Sequence, residues 1–192
     1  MEILKRTIGL LGMLATLYGA AGSPAYADTQ LLLLEQKIKA GLLYNFIKHT
    51  SWPAMQENAD ASRPIAVCVY GEDDFVNYLL PMEGRTVNQR KLFLQQINTI
   101  PEAERCDIVF VTEQERENWA EMRRFLHARN ILTVSDFPEF AQNGGMIEFR
   151  EKDKHIGAIF NLEAFGNAGL DVSPSLLNLN GVEILSASMQ EP

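Results

Sequence analysis

Residues 65–70 read Ile-Ala-Val-Cys-Val-Tyr, and residues 107–111 read Asp-Ile-Val-Phe-Val. Neither run alternates apolar with polar. A strand wetted on one face alternates, whereas a strand buried on both faces reads as an unbroken apolar stretch, the mark of a parallel sheet with helices on either side. Outward from these two runs, strand and helix patterns take turns. Gly71-Glu-Asp73 turns the chain, and Asp73 suits the cap of a short helix through Phe75, Tyr78, Leu79 and Leu80, closed by Pro81. Residues 91–97 read as a further strand at a sheet edge.

Thr112-Glu-Gln-Glu115 has the spacing of a capping box, and the helix it would open carries Trp119, Met122, Phe125 and Leu126 on one face. Residues 131–134 read as the next strand, and 135–145 as a long turn-rich connection ending in Gly144-Gly145. Residues 146–150 and 155–160 read as a hairpin about 151–154. A helix over 161–168 ends at Gly169. Ser173-Pro174 caps and starts another, with Leu176, Leu177 and Leu179 expected inward, and 182–185 is a last strand. The pattern predicts an α/β, three-layer domain with a mixed, largely parallel sheet flanked by helices and a late β-hairpin.

Before the first strand, residues 28–51 read as one long helix capped by Asp28 or Thr29. Leu31, Leu34, Ile38, Leu42 and Phe46 form one stripe, while Leu32, Leu43 and Ile47 fall on another side. Polar residues keep only narrow strips, Lys37 with Lys48 and Glu35 with Lys39. A helix apolar on two sides must be covered on two sides, either by its own domain or by another chain. Trp52-Pro53 stops it. Leu43, Ile47 and Trp52 are the residues assigned here to partner contact, although a Trp in the place of Trp52 more often caps the core.

Residues 1–27 read as a secretory signal peptide. Lys5 and Arg6 supply the positive start, an apolar run follows from Ile8 to about Ala21, and Ala25-Tyr26-Ala27 is an A-x-A cleavage site. Cleavage after Ala27 would leave one exported domain, residues 28–192, long enough for a substantial core.

The whole chain of 192 residues has 17 Lys plus Arg against 25 Asp plus Glu, a net charge of -8. That balance argues against nucleic acid, whose phosphates are bound by Lys and Arg. Two cysteines exclude a disulfide-dense mini-protein and a four-cysteine zinc site. Cys68 and Cys106 stand in and beside the two apolar runs, so they are either two buried thiols or one disulfide closed after export. A bridge spanning about 39 residues is worth roughly 4 kcal/mol in the chain-entropy model.

No nucleophile elbow, zinc-protease, Walker or dinucleotide-binding motif occurs, and no cofactor is implied. His49, His127 and His155 lie on different elements without metal-ligand spacing. Ser135, Asp136 and His155 are the residue types of a hydrolase, without an elbow to present the serine. A small-molecule sensor is a further reading, because Tyr70-Gly71, Thr112 and Ser135-Asp136 fall at strand ends, where open α/β sheets hold ligands.

An ordered set of segments resembles the YfiR family of small exported proteins. The pieces are 39–53 (Lys-Ala-Gly-Leu-Leu-Tyr-Asn-Phe-Ile-Lys-His-Thr-Ser-Trp-Pro), 65–71, 106–111, 131–138 (Ile-Leu-Thr-Val-Ser-Asp-Phe-Pro), 144–147, 160–162, 168–170 and 175–177. The resemblance implies a periplasmic α/β protein without enzymatic activity. It would be a negative regulator that binds the periplasmic domain of an inner-membrane diguanylate cyclase and represses cyclic di-GMP synthesis, so that its release favours biofilm. It further implies an outer-membrane peptidoglycan-binding lipoprotein able to sequester the regulator, and a homodimer. By position, Cys68 and Cys106 resemble the family's first disulfide pair. The second pair of some members is missing here, since no Cys follows Cys106.

Overall fold

The computed structural model describes residues 24–53, 63–152 and 154–185. The signal-peptide reading lies outside the described residues over 1–23. Helix α1 spans Pro24–His49 and β1 Thr50–Ser51; then come β2 Ile65–Tyr70, α2 Phe75–Leu79, β3 Thr86–Val87 and β4 Arg90–Ile97. Strand β5 is Ile108–Val111, α3 Trp119–Leu126, β6 Leu132–Ser135, β7 Ile147–Lys152 and β8 His155–Phe160. The chain continues with α4 Leu162–Asn167, β9 Asp171–Val172, α5 Pro174–Leu177 and β10 Val182–Ile184.

Eight strands form one sheet in the order β10-β8-β7-β6-β5-β2-β4-β3. The pairs β10–β8, β7–β6, β6–β5, β5–β2 and β2–β4 are parallel, and β8–β7 and β4–β3 antiparallel. The expected mixed, largely parallel sheet and its late hairpin are therefore present. The two apolar runs form the adjacent central strands β2 and β5, in register from Val67 opposite Ile108 to Tyr70 opposite Val111. Strand side chains alternate between faces. Ile65, Val67, Val69, Ile108 and Phe110 enter a core beneath α1 and α2. Cys68, Tyr70, Val109 and Val111 enter a second core with Trp119, Met122 and Leu126 of α3. This is why neither strand shows polar positions.

At the start of β5 the buried Asp107 carboxylate accepts the Ala66 N–H at 2.8 Å and pairs with Arg63 at 3.2 Å and Arg90 at 3.4 Å. It ties three segments at the N-terminal edge of the central strands.

Helix α1 runs back to Pro24, so Asp28 and Thr29 lie within it rather than capping it, and it ends at His49. Thr50 and Ser51 then pair with Val172 and Asp171 as a two-stranded ladder, a partner 120 residues distant that no local pattern announces. Thr112–Glu115 forms no capping box. Glu113–Asn118 is a 3-10 turn, and the Thr112 hydroxyl is buried without a partner among the described residues. Glu115 instead bonds Tyr70 and Asn118. The reciprocal carboxylate cap occurs at Thr99, where Glu102 accepts the N–H groups of Asn98 and Thr99 at 2.9 Å each. Those bonds hold the Glu102 carboxyl below the usual range. Leu179 is exposed rather than packed inward, while Leu176 is buried.

Candidate protein-interaction surface

Helix α1 divides along its length as well as around its circumference. In its C-terminal half Ala40, Leu43, Phe46 and Ile47 are buried, and the Phe46 ring packs 5.7 Å from Phe149 and 5.2 Å from Phe160. Leu43 and Ile47 are 0% exposed and Trp52 6%. All three belong to this chain's own core, so none offers free surface for the partner contact expected of them; Trp52 caps the core instead.

Residues 30–38 are largely bare. Leu31 is 63% exposed, Leu32 59%, Leu34 54% and Ile38 40%. Full burial of one such side chain is worth roughly 1.5–3 kcal/mol, so four left in water are a sizeable unused driving force. Contiguous exposed apolar side chains of this kind mark interaction sites. Two-sided apolarity was visible in the sequence. The signal it could not carry is how far along the helix the domain reaches.

Lys39 stands at the boundary between the two halves. Its Nζ is 2.6 Å from Glu35 Oε1 and 2.7 Å from Asp136 Oδ2. Burial disfavours the ammonium, but the hydrogen bonds to Asp136 and Glu35 outweigh it and hold the Lys39 pKa above its ordinary value. The base of the bare helix is thereby fastened to the segment after β6. The expected polar strip of Glu35 and Lys39 is real, but it faces Asp136 rather than solvent.

The C-terminal strand ends are filled by the protein's own side chains. A Cβ at Gly71 would come 2.4 Å from the Thr112 hydroxyl and 2.6 Å from Glu115. Tyr70 has its pKa pushed up to about 12, by burial first and then by the Glu115 carboxylate. Ser135 Oγ donates to Val111 O at 2.7 Å and accepts from Phe137 N at 3.2 Å. Asp136 is held by Lys39. The three residue types of a hydrolase are not brought together. Ser135 pairs in register with Glu148, whereas His155 sits opposite Lys152, four residues farther along β7, or roughly 13 Å at strand rise. His49 ends α1 and His127 follows α3, so the histidines remain on separate elements.

Glu148 itself is buried and accepts the Ala141 N–H at 3.0 Å, pinning the 136–146 segment. Burial raises its carboxyl pKa, against the lowering effect of the backbone bonds from Ala141 and Glu139.

Cys68 and Cys106 form a disulfide with Cα atoms 6.0 Å apart, within the span that a bridge requires. It joins the middle of β2 to the residue two before β5, inside the core beneath α3. Of the two readings of the cysteines, the bridged one holds. A sequence model of the YfiR/HmsC-like family matches residues 36–180.

The chain belongs to the YfiR/HmsC-like family. None of the curated proteins compared matches it. In this YfiR/HmsC-like chain the matched region takes in the disulfide, Ile38, Lys39 and Asp136, while Leu31, Leu32 and Leu34 precede it. Among the described residues no helix is long and apolar enough to cross a membrane.

Proposed function

We propose that this YfiR/HmsC-like protein is a periplasmic negative regulator rather than an enzyme, binding the periplasmic domain of an inner-membrane diguanylate cyclase and repressing cyclic di-GMP synthesis. The observation that carries the reading is the bare apolar stretch 31–38 of α1, clamped at its base by Lys39. A protein that works by occupying another protein's surface needs apolar area there, not reactive groups. Family membership supports the signalling context. The disulfide supports an oxidising compartment, in keeping with a signal peptide cleaved after Ala27. An outer-membrane peptidoglycan-binding lipoprotein that sequesters the regulator, and a homodimer, complete the proposal.

The test is capture of exported, tagged protein from membranes, with a parallel measurement of cyclic di-GMP in a deletion strain. Recovery of a diguanylate cyclase and a rise in cyclic di-GMP on deletion are the expected results. Recovery of no signalling protein with unchanged cyclic di-GMP would remove the proposal.

A further inference from the structure

Strand β7 begins at Ile147, level with Val134, so its ladder with β6 covers only Val134 and Ser135. Leu132 and Thr133, the first half of β6, therefore lack a strand on that side. The Met146 N–H bonds the Thr133 hydroxyl at 3.1 Å in place of a ladder bond. This shortfall opens a groove of about 660 Å³ between α3, the end of the 136–146 segment and α4, a volume within the range of small-ligand sites.

The groove has an apolar floor and a cationic rim. Leu126, Ile131, Met146 and Ala168 are buried along its floor. Arg123, Arg124 and His127 stand on the rim with a single carboxylate, Glu163. Among the described residues neither Arg123 nor Arg124 forms an ion pair, although acidic residues outnumber basic ones by 25 to 17 in the chain. Arg123 is also seated. Its side chain lies over Gly144, where a Cβ would come 2.7 Å from Nη1 and 2.9 Å from Cδ. Gly144 thus does more than turn the chain, because it leaves room for a guanidinium against the groove wall.

We infer that this groove binds a small organic anion, with Arg123, Arg124 and His127 meeting its carboxylate or phosphate and its apolar body lying against the accessible Ala128 and Ala164 above that floor. A guanidinium pairs with either headgroup through two parallel hydrogen bonds. The apolar floor supplies what a free inorganic ion could not use. The inference does not depend on the proposed regulatory partner, and a ligand bound here would be an input to the protein whatever its output.

The test is an NMR titration of the isotopically labelled chain with phenylacetate, phenyl phosphate and the neutral phenylacetamide. At least one anion is expected to move the amide signals of Gly144, Met146 and Ala168, with phenylacetamide weaker by roughly 10-fold or more. Whichever anion is tighter names the headgroup. Arg123→Gln should weaken that anion by roughly 10-fold without changing the thermal melt. If it does not fold, the Arg124→Gln, His127→Gln pair serves the same purpose. Absence of shifts with both anions, shifts confined to Leu31–Ile38, equal binding of the neutral amide, or no effect of the variants would overturn the inference.

Discussion

Lys39 on α1 and Asp136 after β6 lie 97 residues apart in sequence, yet their charged groups meet at 2.7 Å. The contact joins the helix that carries the bare leucines to the C-terminal edge of the sheet. Replacing Lys39 by Met leaves Asp136 and Glu35 facing each other without a cation. Since both carboxylates keep some access to water, the loss is expected to be about 2 kcal/mol, below that of a fully buried pair. Chemical denaturation of the Lys39→Met chain would measure it.

The same clamp sets an alkaline limit. Lys39 and Tyr70 both have folded-state pKa values above their ordinary ones, Tyr70 at about 12. A raised pKa contributes stability that is complete below the unfolded value and lost as pH rises through the folded one. Unfolding free energy should therefore fall from about pH 10 upward. In Lys39→Met the fall should be shallower, leaving the Tyr70 component. An identical alkaline profile in the two chains would contradict the assignment.

Glu148 works in the acid range with the same sign. Burial raises its pKa above the usual carboxyl value, so its contribution is greatest when protonated and is lost as pH rises through the folded value. Glu148→Gln keeps an acceptor for the Ala141 N–H and removes the titration. Measured by thermal melts, the stability of the variant relative to the unmodified chain should improve from about pH 4 to about pH 7.

Gly145→Ala tests the packing behind the groove. A Cβ there would meet the Phe140 ring at 2.2 Å. That ring is held by Trp119 at 4.4 Å and by Phe137 at 5.1 Å between centroids. It cannot swing aside, so overpacking should cost about 1–3 kcal/mol. Calorimetry checks the figure. Gly41→Ala is the control, because nothing lies within 4 Å of its Cβ.

The disulfide gives a further prediction. Cys68→Ala with Cys106→Ala should lower stability by up to about 4 kcal/mol in the chain-entropy model, less any relief of native strain. A mass measurement without reductant should show the unmodified chain lighter by two hydrogens.

Much of this architecture can be read from local pattern. The unbroken runs at β2 and β5 announce two-faced burial, and Ser173-Pro174 and Asn161 cap the helices that follow them. Other features depend on register. Thr99-Ile-Pro-Glu102 and Thr112-Glu-Gln-Glu115 present the same spacing, but only the first is a carboxylate cap, because the sheet brings the Tyr70 hydroxyl to Glu115. Leu43 and Ile47 share the helical face of Leu32, and Phe46 shares that of Leu31. Periodicity tells which residues share a face, not where along the helix the domain stops. The groove beside β6 arises from a late-starting neighbour strand, a fact of pairing rather than of composition.

The most direct test of the account changes the bare stretch 31–38 of α1 alone. Leu31→Glu with Leu34→Glu alters exposed positions, so the fold, the disulfide and the exported level should match those of the unmodified protein, as checked by melting and by periplasmic extraction. In a deletion strain, the unmodified protein is expected to bring cyclic di-GMP back down, and the variant to leave it high. Equal repression by the variant at equal periplasmic level would contradict the claim that this protein acts through the apolar surface of its first helix.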